Sequence, residues 1–149
     1  MKRRIYLASS WRNERQPEVL ACLRDAGHDV YDFRNPAPGN MGFHWSEIDP
    51  NWKNWHRADY LAALRTQIAA DGYSHDWSAM QWADTGVLLL PSGRSAHLEA
   101  GYFVGANKPL HILLTERQEP ELMYRMADSI CLSETELLAE IAADLVVVR

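Results

Sequence analysis

The stretch GVLLLPSGRSAHLEAGYFVGANKPLHILL, residues 86–114, predicts the central part of the fold. It starts with an apolar run, Val87 to Pro91, typical of a strand in a sheet that is covered on both faces. A short polar turn, a helical segment to about Asn107 and a second apolar run, KPLHILL, follow in that order. Two buried strands joined by a helix indicate a parallel sheet, because a parallel pair needs a crossover connection.

The rest of the chain repeats this alternation of strand and helix. Further strands are predicted in IYLAS (5–9), HDVYDF (28–33) and DSICL (128–132), and a helix in QPEVLACLRDAG (16–27). Ser133 and Glu136 form an S-x-x-E capping box for a last helix, which should bury Leu137, Leu138 and Ile141. The pattern predicts a doubly wound, flavodoxin- or Rossmann-like α/β sandwich with a central, mainly parallel sheet of about five strands.

Two regions are less regular. Residues 35–56 hold three prolines, two glycines and three tryptophans, which predicts a long loop; its tryptophans either cover core edges or close over a ligand base. Two helices should follow, one around Leu61, Leu64 and Ile68 and one in DWSAMQWAD (76–84). The final LVVV (145–148) fits a helix end or a short strand. We expect residues 1–149 to form a single domain.

Composition restricts the partners. The net charge of −5 argues against a nucleic-acid polymer, although a few arginines and helix N-termini can still hold one phosphate. Two cysteines without metal-binding spacing indicate a reducing compartment, and the short apolar start fits neither a signal peptide nor a membrane span. The six histidines show no HExxH or paired spacing. We therefore expect a cytoplasmic protein with no metal site, no cofactor and no membrane contact.

Candidate site residues follow from the rule that ligands bind beyond the carboxyl ends of parallel strands. If Ser95 is the N-cap of its helix, Glu99 ends the first turn. The carboxylate would then either complement the helix dipole or face the ligand crevice. Asp76 and Asp84, eight residues apart, are expected to lean to one side of a helix.

The first predicted strand ends in YLASSWRNER. Ser9, Ser10, Arg12 and Arg15 supply hydroxyls and guanidinium groups, the parts of a monophosphate site. A serine N-cap followed by solvated arginines explains the same residues equally well. There is no GxGxxG or GxxxxGK fingerprint, so a dinucleotide or P-loop site is not supported.

Three motifs, IYLASSW, D-x7-D before an apolar strand, and LEAGYFVGANKPL, together resemble the nucleoside 2-deoxyribosyltransferase superfamily, which includes nucleoside 5′-monophosphate N-glycosidases. The resemblance implies that Glu99 attacks the anomeric carbon, that Tyr6 positions it and that Asp76 assists departure of the base. It also implies substrate and phosphate contacts from Ser9, Ser10, Trp11, Arg12, Arg15, Ser92, Gly93, Arg94 and Ser95. The family's transferases have Asp, and some hydrolases Ser, where this chain has Gly93.

The resemblance implies cleavage, by hydrolysis or transfer, of the N-glycosidic bond of a nucleoside 5′-monophosphate or nucleoside through a glutamate nucleophile. The resemblance also implies that the substrate is a small molecule and that the protein forms a homodimer or higher homo-oligomer. Two alternatives remain. Gly93 and the tryptophan-rich loop favour a non-catalytic nucleotide-binding or sensing module. A Toll/TIR-like NAD glycohydrolase also uses a glutamate against a ribosyl bond.

Overall fold

The structure, a computed structural model, describes residues 1–144. Five strands form one parallel sheet in the order β2-β1-β3-β4-β5. They are β1 (Arg4–Ala8), β2 (Asp29–Tyr31), β3 (Thr85–Leu89), β4 (Leu110–Leu113) and β5 (Ser129–Cys131). The helices are α1 (Gln16–Asp25), α2 (Arg57–Leu64), α3 (Gln67–Trp82), α4 (Arg94–Gly105) and α5 (Glu134–Ala143). The predicted α/β fold is confirmed; LVVV lies outside the described residues.

Alternating residues of β1 pack on the two faces of the sheet. Ile5 and Leu7 belong to a core that also contains residues of α1 and α5. Tyr6 instead contacts Phe103 of α4, so α4 lies on the opposite face. The strand order reverses between β1 and β3, whose carboxyl ends therefore flank the switch point where such sheets bind ligands.

The N-K-P part of the pattern at residues 107–109 has a structural explanation. Asn107 adopts a left-handed conformation, with φ of 55°, directly after α4. Its N–H donates to the carbonyl of Val104, and the N–H of Lys108 donates to that of Phe103, the two bonds of a Schellman motif. Asparagine is among the residues that best tolerate this conformation. Proline follows naturally, because it cannot continue the helix.

Lys108 also closes the end of a second helix. Its Nζ donates to the carbonyl oxygens of Met80, Gln81 and Ala83, at 2.8, 3.0 and 2.6 Å. These carbonyls belong to the last turn of α3 and the residues after it, where helical partners run out. Lys108 therefore ties the start of β4 to the end of α3.

Helix boundaries between α2 and α4 differ from the prediction in two places. Thr66 starts α3, because its Oγ1 accepts from the N–H of Ala69 at 3.3 Å, so Ile68 lies on α3 and not on the preceding helix. Asp84 lies beyond α3, and the expectation that it shares a helix side with Asp76 is wrong. Its carboxylate accepts from the N–H of Arg4 and forms ion pairs with the side chains of Arg3 and Arg4 at the amino edge of the sheet. The predicted S-x-x-E start of α5 is confirmed, since Ser133 Oγ accepts from the Glu136 N–H at 3.2 Å.

Contacts divide the chain into two compact units, residues 33–79 and the remainder. The tryptophan-rich loop belongs to the first and folds around Trp45, whose ring contacts those of Phe43, Trp55 and Tyr60 at 4.7, 5.7 and 5.8 Å. Trp55 Nε1 donates to Asp49 at 2.7 Å. These ring contacts hold the irregular segment together at the surface, since Phe43, Trp45 and Trp55 are half-buried and Tyr60 is exposed. The expectation of one domain over residues 1–149 stays a prediction.

Candidate functional site

Glu99 lies in the second turn of α4. The N-cap is Gly93, with φ of −89° and ψ of −167°, and not Ser95 as the sequence suggested. The first helical hydrogen bond runs from His97 N–H to Gly93 carbonyl at 3.4 Å. Because the influence of a helix terminus on charge is confined to the first turn, the dipole does not explain a carboxylate at this position.

The flank of α4 that carries Glu99 faces Tyr6. Glu99 and Phe103 are one turn apart on α4, and side chains at this spacing are neighbours. The Phe103 ring lies 5.9 Å from the Tyr6 ring, which is stacked on Tyr31 at 5.3 Å. Tyr6 is 1% exposed, so its ring is fixed between helix and strand. Glu99 thus lies one turn before Phe103, the residue of α4 that contacts Tyr6.

Gly86 of β3 makes this packing possible. A Cβ at this residue would lie 2.6 Å from Cγ of Phe103, much closer than carbon atoms pack. In contrast, Gly101 and Gly105 have open space where a Cβ would stand. The close approach of helix and sheet is therefore at Gly86, where a glycine inside an apolar run was the available sequence signal.

Hydrogen bonds join the loop after β1 to the loop after β3. Ser9 Oγ donates to the Leu89 carbonyl, and Asn13 Nδ2 donates to the Pro91 carbonyl, both at 3.1 Å. Asn13 Oδ1 accepts from the Arg15 N–H at 2.9 Å, and its side chain is buried. Sequence reasoning missed Asn13. The two loops that flank the switch point are held together by these side chains.

The predicted phosphate-binding residues after β1 have different surroundings. Ser10 Oγ accepts from the N–H of Arg12, and the side chains of Trp11 and Arg12 are exposed. Arg15 forms an ion pair with Glu134 and a second one with Glu18 at 3.6 Å. Arg12 therefore offers its guanidinium to a ligand more readily than Arg15 does.

The loop after β3 forms an open pocket of about 550 Å³ at the start of α4. It is lined by Ser92, Gly93, Arg94, His97 and Leu98. Ser95 is exposed at the same turn. Three of the predicted substrate contacts thus line one pocket, which also includes the His97 flank of the helix.

Two further acidic side chains, Asp76 and Asp32, differ in their surroundings. Asp76, predicted to assist departure of the base, is half-buried on α3 within the unit of residues 33–79. Asp32, directly after β2, is 7% exposed and accepts from Gln16 Nε2 at 3.0 Å. Sequence reasoning missed Asp32, although a carboxylate directly after a predicted parallel strand was the available signal.

Neither a metal cluster nor a membrane helix is found in residues 1–144. No group of three or more His, Cys, Asp or Glu residues is placed to hold a metal ion there. None of the helices in this range is both long enough and apolar enough to cross a bilayer.

Comparison with known proteins rests on structure. No protein-family model matches the sequence, and no curated protein does so either. The chain is similar to a 2-deoxyribosyltransferase from Bacillus psychrosaccharolyticus, with 18% identity, a TM-score of 0.62, and coverage of 93% of this chain and 90% of that one. It is also similar to the CMP N-glycosidase BcmB of Clostridium botulinum, with 15% identity, a TM-score of 0.51, and coverage of 95% and 99%. At these identities the likeness shows a shared fold, the fold of the superfamily that the motifs resemble.

Proposed function

We propose that this protein cleaves the N-glycosidic bond of a nucleoside 5′-monophosphate or nucleoside, with Glu99 as the nucleophile. The position of Glu99 carries the proposal. It lies beyond the first turn of α4, where the helix dipole gives no reason for an acid, on the flank that faces Tyr6. That flank adjoins the switch point of the sheet, the usual ligand position in this class of fold.

The proposed reaction follows the course of a retaining glycosidase. The Glu99 carboxylate bonds to the anomeric carbon while the carbon–nitrogen bond breaks, and the bonding pair leaves with the base. Asp76, assigned through the resemblance, supplies the proton that the departing base takes up. Water, or the nitrogen of a second base, then attacks the glycosyl ester and releases Glu99.

Base release tests the proposal. The protein is incubated with a panel of ribo- and deoxyribonucleosides and their 5′-monophosphates, and free base is measured by chromatography. We expect near-complete loss of activity in Glu99→Ala, while the control Glu116→Ala, an exposed acid in the loop after β4, keeps the wild-type rate. A glycosyl adduct on the Glu99 peptide, detected by mass spectrometry after rapid quenching, would identify the nucleophile. An unchanged rate in Glu99→Ala would refute the assignment.

Gly93 favours a second candidate, a nucleotide-binding module without turnover. A Cβ at Gly93 would meet no atom within 4 Å, and its backbone is extended, so packing does not demand glycine here. A binding module would be stabilised by a nucleotide and release no base. Gly93→Asp, which restores the acid of the family's transferases, should then leave base release absent. NAD belongs in the same panel, because nicotinamide release would favour the Toll/TIR-like alternative.

We further propose that the protein acts in the cytoplasm as a homodimer or higher homo-oligomer. Its two cysteines, Cys22 and Cys131, are free thiols, as expected in a reducing compartment. Large apolar side chains stay exposed on α2 and the start of α3, a surface suited to a second copy. They are Tyr60, Leu61, Leu64 and Ile68. Light scattering should report at least a dimer, and Leu64→Lys should shift it towards monomer.

A further inference from the structure

A cavity of about 490 Å³ lies on the flank of α4 opposite Glu99. Two residues along a helix turn the side chain by about 200°, so His97 and Gly101 lie across α4 from Glu99. Both line the cavity, together with Leu88 of β3 and Ile112 of β4. The outer wall comes from the turn Leu122–Met126, through Met123, Tyr124 and Met126. The cavity thus lies across α4 from Glu99, although it shares Ser92 and His97 with the open pocket at the start of this helix.

Two polar atoms in its wall lack partners. Ser92 Oγ and Gln118 Nε2 are both buried, and neither has a hydrogen-bond partner among residues 1–144. Both residues line the cavity. Buried polar groups in native proteins are nearly always hydrogen-bonded, so two such atoms in one cavity call for an explanation. A bound molecule that meets both atoms supplies one.

Hydrogen bonds hold the His97–Tyr124 pair in place in the cavity wall. The His97 ring is stacked on Tyr124, with centroids 5.7 Å apart, and its Nδ1 donates to the Gly93 carbonyl at 2.7 Å. Its Nε2 lies 2.9 Å from the Tyr124 hydroxyl. Burial raises the pKa of Tyr124, which keeps the phenol protonated and able to donate to Nε2. Two stacked, mutually bonded rings offer a flat surface to a flat ligand.

The charges at the cavity exclude an anion. Glu119 and Glu121 line it and are exposed, while no lysine or arginine among residues 1–144 lines it. Gln118 Nε2 can only donate, so the ligand must carry an acceptor, and the Ser92 hydroxyl can meet either a donor or an acceptor. The volume falls within the range of small-molecule pockets. Together these features favour a small ligand that is not an anion and that carries a hydrogen-bond acceptor.

We propose that this cavity is a second ligand site, which binds a small, uncharged, planar heterocycle with a carbonyl oxygen through Gln118 and Ser92. The carbonyl accepts from Gln118 Nε2. The ring lies against the His97–Tyr124 pair, and the methionines of the outer wall cover it, since their flexible side chains adapt to irregular shapes. The proposal does not depend on the reaction at Glu99.

Calorimetric titration with four probes, uracil, cytosine, adenine and nicotinamide, tests the site. We expect at least one probe to bind saturably. Uracil-6-carboxylate, an anionic counterpart of uracil, should not bind. Gly101→Leu should fill the cavity and weaken binding at least tenfold, because the glycine lines it and has open space for a Cβ. Gly105→Leu is the matched control, a change on the same helix outside the cavity lining, and should bind as wild type does.

Two further variants keep the result interpretable. Ser92→Ala removes a single buried hydroxyl and should also weaken binding, which covers the case of a misfolded Gly101→Leu. Glu99→Gln should bind the probe normally, because Glu99 lies on the other flank of α4. The proposal is overturned if no probe binds, if Gly101→Leu and Ser92→Ala both bind as wild type, or if only Glu99→Gln abolishes binding.

Discussion

Substituting Gly86 with alanine tests the packing of α4 against β1 and β3 through Phe103. The added methyl group would lie 2.6, 2.8 and 3.0 Å from three carbons of the Phe103 ring. Carbon atoms in contact prefer about 3.5–4.0 Å, so the ring must retreat by about 1 Å. Phe103 is 1% exposed and has no free space to move into without shifting its neighbours, Tyr6 among them.

The expected cost of Gly86→Ala is about 1–3 kcal/mol of the free energy of unfolding, the usual range for an overfilled core. For a chain of this length that corresponds to a fall of roughly 2–12 °C in the melting temperature. Urea unfolding measures it, with an unchanged m-value expected. Base release should fall as well, since Glu99 lies on the same helix, one turn before the displaced Phe103.

A second variant separates the clash from other causes. In a Phe103→Leu background the ring is absent, so adding Gly86→Ala should cost much less than it does in the wild-type protein. Gly101→Ala, with no atom within 4 Å of the new methyl, serves as the control and should not destabilise. The reasoning fails if Gly86→Ala costs the same with and without the Phe103 ring.

Three further changes test other contacts. Lys108→Met should lose about 2–3 kcal/mol in urea unfolding, because three carbonyls lose a charged donor; the exposed Lys53→Met should cost almost nothing, and equal losses would contradict this. The Nδ1 atom of His28 accepts from the Arg3 N–H, and burial, with nearby positive charge, lowers the pKa of this histidine in the folded protein. Below pH 6.5, the ordinary pKa of histidine, the unfolded chain therefore binds more protons than the folded one, and the stability of the fold falls. Wild type should lose more stability than His28→Gln between about pH 7.5 and about pH 5.5, and parallel losses would count against the assignment. Arg12→Ala should raise KM for monophosphates and not for nucleosides. Arg15→Ala should mainly cost about 1 kcal/mol or less of stability, because its ion pair with Glu134 is lost. The reverse pattern would indicate that Arg15, and not Arg12, binds the phosphate.

Much of the fold could be predicted from local signals. Apolar runs separated by helical periods give the five strands, and Ser133 with Glu136 gives the start of α5. The start of α4 was misjudged because Gly93 and Ser95 are both acceptable N-caps, and only the backbone conformation selects Gly93. That difference of two residues moves Glu99 from the first turn into the second.

The site could be predicted only in part, because its contacts join distant residues. Arg15 and Glu134 are 119 positions apart, and Asn13 and Pro91 are 78 apart. The spacing of Ser10, Arg12 and Arg15 along the chain cannot show that Arg15 is already paired with an acid from another helix. Glu99 could be singled out because the helix after a central strand leads directly to the ligand edge of the sheet.

The role of residues 107–109 affects how such sequences are searched. Asn107 and Lys108 act on backbone geometry and helix ends, so selection for folding alone is enough to maintain them. A descendant that had lost Glu99, the proposed nucleophile, would retain this signature and still be retrieved as an enzyme. Screening genomes for the activity should therefore require an acid at the position of Glu99 before any weight is given to the N-K-P tail.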